Sequence, residues 1–325
     1  MNWATLDWTI LDRLRERFLA GGAGGAGYWN SRADLAHYDF TYAQRIGWKW
    51  DAVLRELALR GWQPPAGPVL DWGCGSGIAG RAVLGAYGAE HFGALALEDR
   101  SALAAGFAAE RAQQEFPGLD VRRGAEAPFT TLLVSHVLNE LDPAGRDALR
   151  ALLARAAAVL WVEPGTHGDS RALIGFREEL LAAGFDAVAP CTHRARCGML
   201  NPHNAPHWCH HFAEPPPALL GDAGWTAFAR RVGIDLRAIP YSFLVLERRP
   251  PANEAEGWTR VIGRPRVYKG FAKVLGCSRE DVTELPVQER DHKALFRDFK
   301  KDRGPTLLRV RDGSKDWKTI EEARS

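Results

Sequence analysis

Between residues 69 and 190 the chain alternates short apolar runs with longer amphipathic stretches, and this alternation restricts its fold more than any other feature. Parallel strands covered on both faces read as continuous apolar runs, and each must reach the next through a crossover helix. Strands are expected at 69–73, 94–98, 119–123, 131–137, 159–164 and 185–190, with helices over 78–87, 101–115, 143–157 and 169–183. After Pro190 the periodicity stops until residue 238, apart from one expected helix at 222–232, and AIPYSFLVLERR (238–249) then returns as a strand. The order predicts an α/β fold, a doubly wound Rossmann-like sheet whose last two strands are joined by an insertion.

Amphipathic helices are expected over 5–19 and 42–60, joined by the linker GGAGGAG at 21–27 and ended by Pro64, Pro65 and Pro68. The aromatic residues Trp29, Tyr38, Trp48 and Trp50 in this part read as packing anchors. The far end reads as a Pro-rich linker, a β-rich stretch at 258–275 and a charged helical tail. The expected division is a helical N-terminal segment at 1–63, a main domain at 64–249 with a Cys- and His-rich insertion at 190–236, and a basic appendage at 250–325.

With 46% hydrophobic and 25% charged residues, the chain can bury a full core. It contains no apolar run of the about 18 residues needed to span a bilayer. Acidic residues within MNWATLDWTILDRLRERFLA argue against a secretory signal or a transit peptide, so a cytoplasmic location and no membrane partner are expected. The net charge of +2 is unevenly divided. From residue 249 onward there are 18 Lys and Arg against 13 Asp and Glu, a hint of an anionic partner such as RNA.

LDWGCGSG (70–77) follows an expected strand and precedes an expected helix, so its glycines let the main chain turn tightly and approach a ligand. Asp71 ends the first strand; Glu98 and Asp99 end the second, where a carboxylate can accept hydrogen bonds from a ribose. Position 78 is Ile, so the dinucleotide spacing G-x-G-x-x-G is not met. The D-x-G-x-G-x-G form resembles the S-adenosylmethionine loop of class I methyltransferases, with Asp71, Gly73, Gly75, Gly77, Glu98 and Asp99 as the cofactor-binding set. Cys74 reads as a small filler within it. After the fourth strand stands HVLNEL (136–141), where His136, Asn139 and Glu140 are either pocket residues or strand-end caps. No catalytic base or nucleophile stands out.

Five cysteines occur, and three of them, Cys191, Cys197 and Cys209, fall within CTHRARCGMLNPHNAPHWCHH together with His193, His203, His207, His210 and His211. In a reducing compartment this density points to metal ligation. Thiolates suit zinc or iron–sulfur iron. The spacings lack the C-x2-C of common structural zinc sites. Cys277 is the remaining candidate thiolate once Cys74 is assigned to the glycine loop. Four thiolates suit a [4Fe–4S] cluster, and three with a histidine would favour zinc.

LDWGCGSG, HVLNEL, the EPGT…SR segment (163–171), the APC…C…WCHHF segment (189–212) and WTRVIGRPRVYKGF (258–271) together resemble the methyltransferase-like small-ribosomal-subunit assembly proteins of bacteria and mitochondria. The likeness runs from about residue 40 to 280, and without a transit peptide the chain looks like a bacterial member. The resemblance implies a methyltransferase-like domain that binds S-adenosylmethionine and small-subunit rRNA in ribosome biogenesis and translation. It also implies a [4Fe–4S] cluster on Cys191, Cys197, Cys209 and Cys277. Independently, residues 258–273 carry Arg260, Arg264, Arg266, Lys269 and Lys273 without an acid, interleaved with Trp258, Tyr268 and Phe271. Cations supply phosphate affinity and aromatic rings supply stacking. The expected protein is a monomer that acts by binding; an active RNA methyltransferase and a zinc-stabilised, non-enzymatic RNA-binding adaptor are the alternatives.

Overall fold

The computed structural model describes residues 1–19, 29–249, 257–310 and 317–319. The glycine-rich linker at 21–27, residues 250–256 of the Pro-rich linker and most of the tail beyond residue 310 lie outside the described residues. Three helices come first: α1 (Trp8–Leu19), α2 (Arg32–Phe40) and α3 (Tyr42–Leu59). The sequence gives no sign of α2 because Asp34, His37 and Asp39 are among its buried residues, so no apolar stripe announces it. Its start is set by Ser31, whose side chain accepts from the Asp34 N–H.

The alternating region follows its expected order: β1 (Val69–Trp72), α4 (Ile78–Tyr87), a short α5 (Ala89–Phe92), β2 (Ala94–Glu98), α6 (Ala102–Glu115), β3 (Asp120–Arg123), β4 (Thr131–Ser135), α7 (Pro143–Arg155) and β5 (Ala158–Pro164). Then come α8 (His167–Ala182), β6 (Asp186–Ala189), β7 (His211–Ala213), α9 (Ala223–Val232) and β8 (Ile239–Glu247). The C-terminal part contains β9 (Thr259–Tyr268), β10 (Phe271–Cys277), β11 (Val282–Gln288), α10 (Lys293–Lys300), β12 (Leu307–Val310) and β13 (Trp317–Thr319). Among the described residues the tail expected to be helical therefore carries three strands, with α10 as its one helix between β11 and β12. Helix α10 persists because Phe296 and Phe299, one turn apart, bury against Val261, Val274, Val287 and Leu308.

Two compact units divide the chain by contact rather than by sequence order: residues 1–55, 63–163 and 213–239, and residues 56–62, 164–212 and 240–325. The first unit holds a parallel sheet in the order β3-β2-β1-β4-β5. Leu70 of β1 stands opposite Ala96 of β2 on one side and Leu132 of β4 on the other. The chain thus leaves β1 in one direction and returns on its far side, which opens a crevice at the carboxyl end of β1. Among the described residues no helix is long and apolar enough to cross a membrane.

The second unit contains an antiparallel β6–β8 pair and an antiparallel sheet in the order β11-β10-β9-β12-β13. At its centre is a buried ionic network. Glu56 Oε1 accepts from Arg60 Nη2 at 2.6 Å and from Arg260 Nη1. Arg60 also donates to the carbonyls of Val188 (2.6 Å), Pro190 (2.9 Å) and Cys191 (3.1 Å). Burial pushes the Glu56 carboxyl up, but the two guanidiniums outweigh it and hold the group below its usual range. Glu56→Gln leaves two buried guanidiniums facing a neutral amide and is expected to cost about 3–5 kcal/mol of stability. Urea unfolding with an unchanged midpoint would count against this assignment.

Candidate functional site

In the first unit the glycine loop lines a pocket of about 360 Å³ at the carboxyl ends of β1, β2 and β4. Its wall includes Gly73, Cys74, Gly75, Ser76, Glu98, Asp99, Arg100, His136 and Glu140, with Phe18, Trp29, Tyr38 and Ile46 from the N-terminal helices. Gly73 and Gly75 adopt φ of 70° and 53°. A Cβ on Gly73 would come within 2.5 Å of Val137 Cγ1, whereas one on Gly75 would meet nothing within 4 Å. The first glycine is demanded by packing and the second leaves room over the loop.

The acids of the expected cofactor set divide their tasks. Asp99 Oδ2 accepts from the Gly75 N–H (2.9 Å) and Oδ1 from the Ser101 N–H (2.8 Å), so this carboxylate braces the loop. Glu98 holds the loop through its carbonyl, which accepts from Gly73 (2.8 Å) and Cys74 (3.0 Å). Its side chain also lines the pocket, the position a ribose acceptor requires. Asp71 and Gly77 are not among the lining residues. Asp71 is fully buried and accepts from the Gly80 N–H (2.9 Å), which ties β1 to the first turn of α4. A Cβ on Gly77 would strike Ala108 at 2.9 Å, so that glycine serves helix packing.

Of the three residues considered after β4, His136 and Glu140 line the pocket and Asn139 does not. His136 has φ of 59°, a left-handed conformation that few non-glycine residues adopt. Its Nε2 lies 3.3 Å from Nζ of buried Lys49, and burial, then the Lys49 charge, push its pKa well down. The ring is therefore neutral at physiological pH. Sequence reasoning missed Lys49; its one signal is a cation flanked in sequence by Trp48 and Trp50 within α3.

In the second unit Cys191, Cys197, Cys209 and Cys277 all line one cavity of about 40 Å³, together with Ser170, Arg177, Ser242 and Arg260. The loop after Cys197 is seated by Gly198, where a Cβ would lie 2.7 Å from the Val282 nitrogen, and by Asn204 Nδ2 donating to the Val282 carbonyl at 3.1 Å. Ser170 Oγ and Ser242 Oγ each donate to the Cys209 carbonyl at 2.7 Å. Of the five histidines, two approach a sulfur: His193 Nε2 stands 3.6 Å from Cys277 Sγ and His211 Nε2 3.8 Å from Cys209 Sγ. Burial first, and then the Cys191 sulfur, push the Cys197 thiol up to about 11; Cys209 and Cys277 are raised by the same causes. Among the described residues no three His, Cys, Asp or Glu side chains converge on a point that could hold a metal ion.

The cavity has features of a seat for a larger group. Arg177 Nε donates to Cys191 Sγ at 3.1 Å, and Arg260 Nε is buried with no partner among the described residues. An orphaned donor beside four sulfurs calls for an acceptor. Arg177 was also missed from sequence, although it falls on the buried face of α8 with Leu173, Ile174 and Leu180. Burying a guanidinium on an apolar stripe is costly without a partner, which was the available signal.

The expected basic surface needs one correction. Arg260 is 2% exposed and engaged with Glu56 and His211, so it is unavailable to a phosphate. The remaining four are on or beside the β9–β10 hairpin. Arg264 pairs with Asp302 (2.8 Å), and Arg266 and Lys273, cross-strand neighbours, share Glu284. Lys269 is exposed at the turn, beside Tyr268 stacked on Phe271 with centroids 4.9 Å apart. Trp258 is buried and is not part of this surface.

A parallel β3-β2-β1-β4-β5 sheet with a glycine loop after β1 and acids at the end of β2 defines a Rossmann-like, class I methyltransferase fold. A family model described as Rsm22, mitochondrial small ribosomal subunit Rsm22, matches residues 50–304, and the chain belongs to that family. The search of curated proteins found no match. Among solved structures, the chain is similar to an O-methyltransferase family protein from Burkholderia thailandensis (15% identity, 75% of this chain and 69% of that one, TM-score 0.38). It is also similar to a SAM-dependent methyltransferase from Thiobacillus denitrificans in complex with S-adenosyl-L-homocysteine (17% identity, 60% and 90%, TM-score 0.34). A third is an rRNA methylase from Streptococcus thermophilus (12% identity, 58% and 90%, TM-score 0.33). At these scores the fold assignment rests on strand order and the glycine loop, not on the neighbours.

Burial pushes the Asp71 carboxyl up to about 7 from 3.8. Between those values the folded chain holds a proton that the unfolded chain has released, so stability falls as pH rises toward and through 7. The full effect is at most about 4 kcal/mol. Asp71→Asn is expected to flatten this fall, seen as a smaller drop in Tm from pH 5.5 to pH 8 than in the unsubstituted protein. Equal drops in both proteins would contradict the assignment.

Proposed function

We propose that the chain is a ribosome-assembly factor that binds S-adenosylmethionine in the glycine-loop pocket, contacts small-subunit rRNA through the β9–β10 hairpin, and carries a [4Fe–4S] cluster on Cys191, Cys197, Cys209 and Cys277. The lining of one cavity by three cysteines of one segment and a fourth from the end of β10 is the observation that carries the cluster. Zinc–sulfur bonds of about 2.3 Å would draw the thiolates to about 4 Å of one another around one ion. A cavity of about 40 Å³ also exceeds the roughly 10–15 Å³ that one water-sized occupant needs. When bound, such a cluster supplies a rigid cross-link and a one-electron redox centre.

Membership of the Rsm22 family supports the small-subunit assignment. Within the pocket, Glu98 is positioned to accept from a ribose, and Gly75 leaves open space above the loop. At the hairpin, Arg264, Arg266, Lys269 and Lys273 would meet phosphates while Tyr268, 44% exposed, offers a stacking face. A second function, methyl transfer to RNA, rests on His136 at the pocket wall: burial and the Lys49 charge keep this imidazole from taking up a proton, so it would hydrogen-bond and orient an acceptor nucleotide rather than act as its base.

Anaerobically purified protein is expected to be brown, to absorb near about 400 nm and to contain iron and acid-labile sulfide. Cys277→Ser is expected to lose most of that iron. A colourless protein containing stoichiometric zinc would overturn the cluster. Calorimetric titration with S-adenosylmethionine tests the pocket, with no heat of binding as the contrary result. A radiolabelled methyl assay on small-subunit particles then separates binding from catalysis: incorporation that His136→Ala abolishes would establish methyl transfer.

A further inference from the structure

We propose, on the footing of the cluster reading above, that Arg177 and Arg260 are the counter-charges of the group held by the four cysteines, donating hydrogen bonds to its sulfur atoms and raising its reduction potential. Both guanidiniums line the cysteine cavity, and both residues are 2% exposed. Arg177 Nε already donates to Cys191 Sγ at 3.1 Å, while its Nη2 is anchored on the carbonyls of His193 (2.9 Å) and Ala195 (3.1 Å). Arg260 is anchored by Glu56 and by His211 Nδ1 (3.1 Å), which leaves its buried Nε as the donor without a partner. Each guanidinium is thus fixed at one end and presents Nε–H at the other.

The charges agree with an anionic occupant. Arg60, Arg177 and Arg260 are buried in or behind the cavity wall, and Glu56 is the buried carboxylate among them, which leaves two positive charges. Glu178 also pairs with Arg177; its side chain is 30% exposed, so it offsets part of one of these charges and leaves the balance positive. A 2+ cubane on four thiolates has a net charge of about −2. Uncompensated, either side of this balance would be costly to bury. Positive charge and N–H donors near sulfur stabilise the more negative, reduced state, so their loss lowers the potential. Arg177 and Arg260 are positioning residues, not ligands.

The test is an anaerobic redox titration of the full-length protein with dithionite as electron donor, followed by electron paramagnetic resonance, with iron and sulfide counted in every sample. Arg177→Gln is expected to retain its iron and to shift the midpoint to a more negative value. Arg177→Lys and Arg260→Lys, which keep the charge and lose Nε–H, are expected to shift it less in the same direction. If Arg177→Gln fails to fold by circular dichroism, the two lysine variants decide. Iron-loaded variants with the unsubstituted midpoint would overturn the proposed role of the arginines while leaving the cluster intact. An unsubstituted protein without iron would overturn the cluster and this inference together.

Discussion

Charge buried away from water must be matched where it lies, and the second unit is organised around that constraint. Glu56 holds Arg60 and Arg260, Arg60 gathers the carbonyls of Val188, Pro190 and Cys191, and Arg177 gathers those of His193 and Ala195. The chain from 188 to 195 has little regular structure of its own, so guanidinium donors do for it what a ladder does for a strand. The position of the cysteines follows from this. Cys191 is fixed by Arg60 and Arg177, Cys209 by two serine hydroxyls, and Cys277 by the end of β10.

The first unit meets a different constraint, a tight turn of backbone at the floor of a pocket. Its strand order reverses at β1, and the loop there is held from three sides: by the Glu98 carbonyl, by the Asp99 carboxylate and by Val137 against Gly73. Asp71, the first acid of the motif, sits beneath the loop and joins strand to helix. A signature that reads as one binding motif is therefore part pocket lining and part scaffold. The buried Lys49–His136 pair adds a polar wall facing the same pocket.

The parallel strands and their crossover helices were legible because a strand covered on both faces must be apolar throughout, a property visible one residue at a time. Helix α2 was not, since its buried residues include a histidine and two aspartates, the latter paired with Arg13, Arg81 and Arg111 from other helices. Helix α10 and the strands around it were blurred for a related reason: along β11 Thr283, Glu284 and Pro286 are exposed while the buried Val282 and Val287 stand at opposite ends, so no strict alternation marks the strand. The basic stretch misled at Arg260 because a cation's surroundings decide between salt bridge and surface. Nothing local to residue 260 announces Glu56.

The amino-acid sequence by itself determined the strand order's raw material, the glycine loop, the acids that end β2 and the set of four cysteines outside that loop, because each depends on residue type at short range. Only the tertiary structure decided that those four sulfurs share a cavity, that three arginines stand in or behind its wall, and that Asp71 and Gly77 support the pocket without lining it. Such pairings join residues up to about two hundred positions apart, as Glu56 and Arg260 are, and are set by the burial of charge, which no local pattern encodes.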